Sequence, residues 1–309
     1  MPGLTLSAQN QTLKDINHYG TLDRWCAREI KESGVIGGEV KTLYEFYGNG
    51  ETKETKEPFV APEGYLWRTN NVMAKVAGVT KVNTTVFPEK RGDGYCARIE
   101  THIEAVQALG IINMKVTCQG AFILGSINEP IRDTKNPMEK LNFGVPFQGR
   151  PAAVVFDYKA DVGHEVIRGT GFSGLKNMGI PDYPQVTVLL QKRWEDEKGK
   201  IHALRVGTAM VRFTENVTEW MNGYRMEIQY GDITSSPYYK DYMALLNDKD
   251  YCHYYKNSQG DNVPVIEEGW ASADDEPNHL IISFLSSSGG AFFGGVGNTL
   301  WIDNIRVEM

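Results

Sequence analysis

Apolar and polar side chains alternate in eight segments of this chain, and Val, Ile, Thr, Tyr and Phe are frequent in them. Alternation with a period of two is typical of a β-strand with one buried face, so each segment predicts a strand. The segments are 95–103, 112–123, 152–162, 185–194, 202–213, 223–230, 279–287 and 299–309. The series therefore predicts a many-stranded antiparallel β-fold.

Turn residues between these segments support this interpretation. Arg91 to Gly94 (RGDG) precedes the first segment, and Glu197 to Lys200 (EKGK) predicts the tip of a hairpin. The small residues at 287–298 lie between two predicted strands. A phosphate-binding loop would instead begin a helix, and a Walker loop would carry Lys beside Ser or Thr. The segment therefore favours a β-sandwich over a nucleotide-binding fold.

Long helical patterns are scarce. Leu22 to Ser33 is compatible with an amphipathic helix or a strand, and 101–109 and 240–246 are the other short helical candidates. The polar start, 1–20, predicts a flexible N-terminal arm, and 21–309 predicts a single domain because no linker interrupts the strand series. The predicted fold class is all-β, a two-sheet antiparallel sandwich of the jelly-roll type, like galactose-binding and concanavalin-like domains.

Charge and composition exclude several classes of partner. The 309 residues carry a formal net charge of −7 and no basic block, which disfavours nucleic acid and anionic membranes. No apolar run approaches the roughly 20 residues of a membrane span, and the first residues lack the features of a signal peptide. The four cysteines contain no CxxC pair, so we expect buried thiols; a bond between Cys96 and Cys118 stays open.

Motifs of catalysis and metal binding are absent from the sequence. There is no HExxH, the Gly171 to Gly174 segment lacks the spacing of a nucleophile elbow, and the histidines are scattered. We therefore predict no catalytic residue and no metal-binding cluster. Glu100, Asp157 and Glu227 lie on predicted strands and could supply the carboxylate pair of a glycoside hydrolase, but their spacing selects no pair.

Candidate ligand-binding residues come from one strand face and from an aromatic segment. Alternation places Arg98 and Glu100 on one face of their strand, which is either a solvated surface or a polar wall that binds sugar hydroxyls. Trp67 could stack on a pyranose ring with Asn70 beside it, or it could be a core side chain with Asn70 in a turn. Asp303, in an apolar final strand, predicts backbone hydrogen bonds at a bulge or, alternatively, a structural calcium ion.

Further segments belong to the same pattern. An irregular, proline-containing loop ends at Arg150, and Tyr158 follows on the next strand. The segments that carry a family resemblance are Trp25 with Arg28-Glu29, 33–38, Leu43-Tyr44, 67–71, 94–101, 142–151, Tyr158-Lys159, 286–290 and 300–304. In this order they resemble the carbohydrate metabolism domain family of Bacteroidetes, and the resemblance extends from Trp25 to the end.

The resemblance implies a β-jelly-roll that binds carbohydrate in a cell-envelope or secreted, glycan-utilising protein, with other envelope proteins of that system as candidate partners. It also implies export, with the leader trimmed from this sequence. We expect an oligo- or polysaccharide to bind a pocket on the concave sheet and expect no cofactor. The predicted site comprises Trp67, Asn70, Arg98, Glu100, Arg150, Tyr158 and Glu227. The alternatives are a glycoside hydrolase or lyase that uses the same groove and a structural or adhesion domain.

Overall fold

The computed structural model describes residues 6–33, 38–76, 78–108, 112–133, 136–171, 173–249 and 251–309. One α-helix, α1, spans Leu6–His18, and short 3-10 helices span Tyr19–Thr21, Met138–Lys140 and Asp241–Met243. The strands of the first half are β1 (Cys26–Lys31), β2 (Val40–Glu45), β3 (Thr52–Glu54), β4 (Trp67–Thr69), β5 (Val72–Val76), β6 (Val79–Asn83), β7 (Val86–Arg91), β8 (Gly94–Glu100), β9 (His102–Ala108), β10 (Ile112–Cys118), β11 (Ala121–Ile127), β12 (Leu141–Phe143) and β13 (Val145–Pro146).

The remaining strands complete the sheets. They are β14 (Ala153–Asp161), β15 (Glu165–Gly171), β16 (Leu175–Pro181), β17 (Gln185–Glu195), β18 (Ile201–Arg212), β19 (Val217–Glu227), β20 (Gln229–Tyr230), β21 (His253–Lys256), β22 (Asn262–Trp270), β23 (His279–Leu285), β24 (Phe293–Gly295) and β25 (Thr299–Glu308). The prediction of an all-β, mainly antiparallel sandwich is confirmed. The predicted hairpin at Glu197 to Lys200 is present, because β17 pairs with β18, and the turn predicted at Arg91 to Gly94 connects β7 with its partner β8.

Two large sheets enclose the main core. The first has ten strands and runs β12-β11-β23-β17-β18-β22-β21, and β4, β13 and β20 pair with β11, β23 and β18, respectively. The second runs β19-β14-β25-β8-β7. Buried side chains from both sheets, including Phe122, Val188 and Phe284 from the first and Phe156 and Ile302 from the second, form one apolar cluster. Three smaller sheets, β2-β1-β3, β5-β6 and the group of β9, β10, β15, β16 and β24, accompany the sandwich.

The N-terminal segment differs from the predicted arm. Its described part is α1, whose Ile16 is fully buried in the main core. The Asn17 side chain donates to the Val307 carbonyl and accepts from the Val307 amide, which ties the helix to the last strand. Apolar burial and these two hydrogen bonds explain why residues 6–20 are part of the fold rather than an arm.

The ambiguous segments resolve mainly as strands. The helical candidate at Leu22 to Ser33 contains β1, and the candidate at 101–109 contains β9. Only 240–246 contains a helical turn, the 3-10 helix Asp241–Met243. The four cysteines are free thiols. Within the described chain, no helix has the length and apolar character needed to cross a membrane.

Candidate functional site

A cavity of about 400 Å³ lies over the outer face of the ten-stranded sheet, the face turned away from the main core. Alternation along β17 produces this arrangement: Val186 and Val188 enter the core, while Gln185, Thr187 and Leu189 line the cavity. Neighbouring strands present further side chains to the same cavity, namely Met210 and Arg212 on β18, Ser283 and Leu285 on β23 and Ala121 on β11. The floor of the cavity is therefore a sheet surface packed from below.

Strand register brings four polar side chains together on this floor. Gln185 is directly opposite Arg212, and Thr187 is directly opposite Ser283. The Arg212 Nε donates to Gln185 Oε1 at 2.8 Å, and Gln185 Nε2 donates to Thr187 Oγ1 at 3.0 Å. We call Gln185, Thr187, Arg212 and Ser283 the polar corner. Its hydrogen bonds fix the orientation of the Gln185 amide beside Thr187 and Ser283.

Ser283 is the unusual member of the polar corner. It is 1% exposed, and its Oγ has no hydrogen-bond partner among the residues that the structure describes. Two other atoms in the cavity lining, Asn83 Oδ1 and His253 Nδ1, are also buried without a partner. A buried polar atom without a partner costs about 1–3 kcal/mol. Such atoms at a cavity wall are typical of a site where a polar ligand completes the hydrogen bonding.

Aromatic side chains flank the polar corner. The Arg212 guanidinium lies 4.5 Å from the centre of the Tyr242 ring. Tyr238, from the same segment as Tyr242, donates its hydroxyl to the Met210 carbonyl and accepts from the Met210 amide, which attaches this segment to β18. Tyr242 therefore holds one side of Arg212 while Gln185 holds the other.

The opposite end of the cavity contains Phe143 and His253, whose rings stack with centroids 4.3 Å apart. Burial, with a smaller contribution from the Arg193 charge, lowers the pKa of His253 to about 3. The imidazole is therefore neutral at physiological pH, and it presents an aromatic surface and one polar nitrogen rather than a charge.

A buried ionic network supports the sheet beside the cavity. Arg205 and Glu267 form an ion pair with fully buried side chains, and Gln191 donates to Glu267 Oε1 at 2.5 Å. Gln191 in turn accepts from Arg193 Nε at 2.7 Å. Burial raises the pKa of Glu267, but the charge and hydrogen bonds of Arg205 outweigh this effect and lower it overall. Glu267 is therefore ionised and engaged with protein groups.

The small residues that follow β23 form one border of the cavity, from Ser288 to Phe292. Asp182 holds this loop, because one carboxylate oxygen accepts from both the amide and the hydroxyl of Ser288 at 3.0 Å and the other accepts from the Gly295 amide. A Cβ at Gly289 would lie 2.2 Å from the Phe293 carbonyl oxygen, so the close chain approach requires glycine there. The loop is a fixed border that the sequence predicted only as a strand connection.

Of the seven residues predicted as a site, Asn70 lines the cavity and the other six do not. Trp67 is fully buried, stacks on Phe122 at 5.3 Å and donates its Nε1 to the Ile16 carbonyl at 3.1 Å. Tyr158 is a core residue that stacks on Phe213. Trp67 therefore offers no ring face to a sugar, and the core alternative accounts for it.

Arg98 and Glu100 lie on the outer face of the second sheet, so they do not form a wall of the cavity. They pair with each other, and Arg98 Nε also lies 3.1 Å from a Glu89 carboxylate oxygen. The Arg98 guanidinium lies 4.4 Å from the centre of the Phe87 ring. The alternation prediction for β8 is correct for this strand, but the face it describes is a surface of paired charges on the sheet opposite the cavity.

Arg150 and Glu227 are also engaged elsewhere. The Arg150 guanidinium lies 4.1 Å from the centre of the Tyr230 ring and donates to the backbone carbonyls of Ala273 and Asp275. Glu227 is exposed and pairs with Arg225 at 2.8 Å. The structure therefore does not bring the predicted set together.

Asp303 bonds to a backbone amide, as predicted, and also to Arg91, which was not predicted. Its Oδ1 accepts from the Asn304 amide, which matches the backbone interpretation, and its Oδ2 lies 2.7 Å from Arg91 Nη1. Burial raises the pKa of Asp303 to about 6, although Arg91 acts in the opposite direction. Across the described ranges, no three His, Cys, Asp or Glu side chains cluster as a metal site requires. The calcium ion stays an untested prediction.

The polar corner was not predicted, although the sequence carries a signal for it. In β17, Gln185, Thr187 and Gln191 alternate with Val and Leu, so one face of a predicted central strand is polar. In β23, Ser283 is the one polar residue within an apolar run from Leu280 to Leu285. Polar residues inside long apolar strands predict either hydrogen bonds within the protein or a ligand-binding site.

Two solved structures that match this chain cover most of its length. A crystal structure described as a putative glycoside hydrolase from Bacteroides thetaiotaomicron VPI-5482 is 17% identical, with a TM-score of 0.47, over 90% of this chain and 83% of that chain. A carbohydrate-binding module described as specific for non-crystalline cellulose is 10% identical, with a TM-score of 0.27, over 79% of this chain and 88% of that chain. No curated protein matches the sequence.

The family comparison covers most of the chain. A family model described as "Putative carbohydrate metabolism domain" matches residues 39–308. This range includes both large sheets and every residue of the polar corner. The resemblance inferred from the sequence is thereby confirmed. The chain belongs to the carbohydrate metabolism domain family.

Proposed function

We propose that this protein binds a glycan in the cavity on the outer face of the ten-stranded sheet. The observation that carries the proposal is the buried, unpartnered hydroxyl of Ser283 beside Gln185 and Thr187. Sugars present hydroxyl groups that donate and accept hydrogen bonds, and the polar corner offers hydroxyl and amide groups of both kinds. Binding would provide Ser283 Oγ with the partner that the protein lacks.

The apolar part of the cavity supports the same ligand class. Leu189 and Met210 form an apolar floor next to the polar corner, and Phe292 and Tyr242 lie at its borders. A pyranose has CH-rich faces as well as hydroxyl edges, so it needs an apolar surface next to polar groups. Ligand-binding cavities in general combine mainly apolar walls with a few fixed polar groups.

Binding is favoured over hydrolysis by the identity of the lining groups. Among the described residues that line the cavity there is no Asp or Glu. Hydrolysis by the usual mechanism needs two carboxyl groups about 5–10 Å apart across the scissile bond. Glu267, the carboxylate of the adjacent network, is fully buried and bonded to Arg205 and Gln191. The cavity therefore supports recognition better than general acid catalysis.

The setting implied by the family resemblance belongs to the same proposal. A glycan-binding domain of this family would act in the cell envelope or as a secreted protein of glycan utilisation, together with other proteins of that system. Detection of the native protein in membrane and secreted fractions, with a cytoplasmic marker as control, tests this location. Recovery in the cytoplasmic fraction alone would refute it.

The experiment that tests binding is isothermal titration calorimetry against a panel of purified plant and host oligosaccharides, followed by the Ser283→Ala variant. Because Ser283 Oγ has no partner among the described residues, its removal should leave thermal stability unchanged or higher while lowering glycan affinity about tenfold. Arg98→Ala, on the opposite sheet, is the matched control and should bind normally. Absence of binding across the panel, or unchanged affinity in Ser283→Ala, would refute the proposed site.

A second assay separates the hydrolase alternative. The same oligosaccharides are incubated with the protein, and new reducing ends are measured. The proposal expects none above the level of the buffer control. Release of reducing ends that persists in Ser283→Ala would indicate a catalytic site elsewhere on the molecule.

A further inference from the structure

The Arg212 guanidinium is a cation at the cavity without a carboxylate partner. Among the residues that the structure describes, no carboxylate oxygen lies within ion-pair distance of it. Its Nε is bonded to Gln185, whereas its two terminal nitrogens donate to no described protein acceptor. Burial lowers the pKa of Arg212, which is the effect of removing this charge from water without a full replacement.

The other cations that line the cavity are neutralised. Arg205 is paired with Glu267, and Lys140 Nζ lies 3.1 Å from Asp133 Oδ2. Asp182 acts on Arg212 through its charge, but its carboxylate oxygens accept from Ser288, Gly295 and Asn298 rather than from Arg212. Arg212 is therefore the cation whose charge remains available to a ligand.

The guanidinium is also held in a fixed position. Gln185 bonds to its Nε at 2.8 Å, and the Tyr242 ring lies against it at 4.5 Å. These contacts occupy one edge and one face of the guanidinium. The edge that carries the two terminal nitrogens is left available to a ligand. That edge matches the two oxygens of a carboxylate or of a sulfate ester, which arginine binds through two parallel hydrogen bonds.

The charge of the lining contrasts with that of the whole chain. The protein carries a net charge of −7, yet the described cavity lining contains no Asp or Glu, and Arg212 is the cation in it that has no carboxylate partner. An anionic ligand would be repelled by the molecule as a whole but attracted to this cavity. The arrangement discriminates between charged and neutral saccharides.

We propose that the ligand of this cavity is an acidic saccharide, whose carboxylate or sulfate pairs with the terminal nitrogens of Arg212 while its hydroxyl groups bind Ser283, Thr187 and Gln185. The inference rests on the proposed glycan-binding function. A uronic acid and a sulfated sugar share the chemistry that Arg212 recognises, and they differ in the geometry of the anionic group.

The test uses matched pairs of ligands in titration calorimetry. The pairs are oligogalacturonate and its methyl ester, oligoalginate and its carboxyl-reduced form, and a sulfated galactan oligosaccharide and its desulfated form. The acidic member of at least one pair should bind 10- to 100-fold more tightly than its neutral partner, and added salt should weaken it. A preference within the first two pairs identifies a uronate, and one confined to the third identifies a sulfate.

The variants assign the preference to Arg212. Arg212→Gln should remove the preference for the acidic form, and Arg212→Lys should retain part of it because the charge remains. Thermal unfolding of both variants verifies that they are folded. Equal binding of acidic and neutral partners would overturn the acidic ligand and leave the proposed glycan function intact. A preference that persists in folded Arg212→Gln would overturn the role of Arg212, whereas no binding to any saccharide would refute the proposed function itself.

Discussion

The side chain of Asn17 substitutes for a missing strand at Val307: its Nδ2 donates to the Val307 carbonyl at 3.1 Å, and its Oδ1 accepts from the Val307 amide at 2.8 Å. β8 pairs with β25 only over Thr299 to Ile302, so the backbone beyond this point has an edge without a strand partner. The N-terminal helix satisfies that edge.

Loss of these bonds should destabilise the fold. We expect Asn17→Ala to lower the free energy of unfolding by about 1–3 kcal/mol, because two backbone groups of Val307 lose their partner. Chemical denaturation measures the change. Asn17→Asp keeps the acceptor and loses the donor, so its loss should be smaller. Equal stability of Asn17→Ala and the native protein would show that the helix is not needed at this edge.

Trp67 should act through the core and not through ligand contact. Trp67→Ala should lower the free energy of unfolding by about 3–5 kcal/mol, because it removes a fully buried ring stacked on Phe122. Trp67→Phe, which retains an aromatic ring but loses the hydrogen bond to Ile16, should fold and bind glycan with unchanged affinity. Weaker binding by a folded Trp67→Phe protein, measured by calorimetry, would restore the original stacking hypothesis.

His102 should make stability depend on pH above neutrality. Burial lowers its pKa, but Glu100 at 3.3 Å and Glu104 at 3.7 Å outweigh burial and raise the pKa to about 9. The folded state then holds this proton more tightly than the unfolded state does. The resulting stabilisation is complete below the ordinary pKa of about 6.5 and is lost as the pH rises through about 9.

The measurement for His102 is denaturation at several pH values from 6 to about 10. Native protein should lose about 1–3 kcal/mol more over this range than His102→Gln does. His202, which contacts Glu268 and Asp196 on other elements, provides a matched control through His202→Gln. Parallel pH profiles for the native protein and His102→Gln would contradict the prediction.

Asp303 should make stability depend on pH in the acidic range. Its raised pKa of about 6 means that the folded state takes up a proton before the unfolded state does as the pH falls. Stability should therefore decrease as the pH rises from about 4 to about 6, by up to about 3 kcal/mol from this group. Asp303→Asn should flatten that part of the profile in denaturation experiments. An unchanged slope in the variant would show that Asp303 is ionised throughout.

The sequence predicted the fold class because alternation is a local property. The segments predicted as strands at 185–194, 202–213 and 279–287 correspond to β17, β18 and β23. The N-terminal helix was missed because its role depends on Ile16 and Val307, which are far apart in sequence. The helix propensity of residues 1–20 contains no information about the strand edge at Val307, to which Asn17 bonds.

The site was harder to predict because it depends on which sheet carries the cavity. Arg98 and Glu100 were predicted as site residues because they are charged and share one strand face. In the structure they form ion pairs on the surface of their own sheet. The cavity residues Thr187 and Ser283 are neutral and sit in apolar strands, and only the register of β17 with β23 brings them together. Asn70 lines the cavity, but its amide bonds to Gln119, Thr85 and Ala121, so its predicted ligand role stays a prediction.

The ten-stranded sheet has apolar side chains on both faces, since Val188 and Ile282 enter the main core while Leu189 and Ile281 pack in a second cluster on the cavity side. Backbone and rotamer freedom at the cavity floor is consequently lost during folding and not during ligand capture. A saccharide would meet a preorganised surface, and substitutions at border residues such as Tyr242, Leu246 and Phe292 would change the cavity without altering the sheet beneath it.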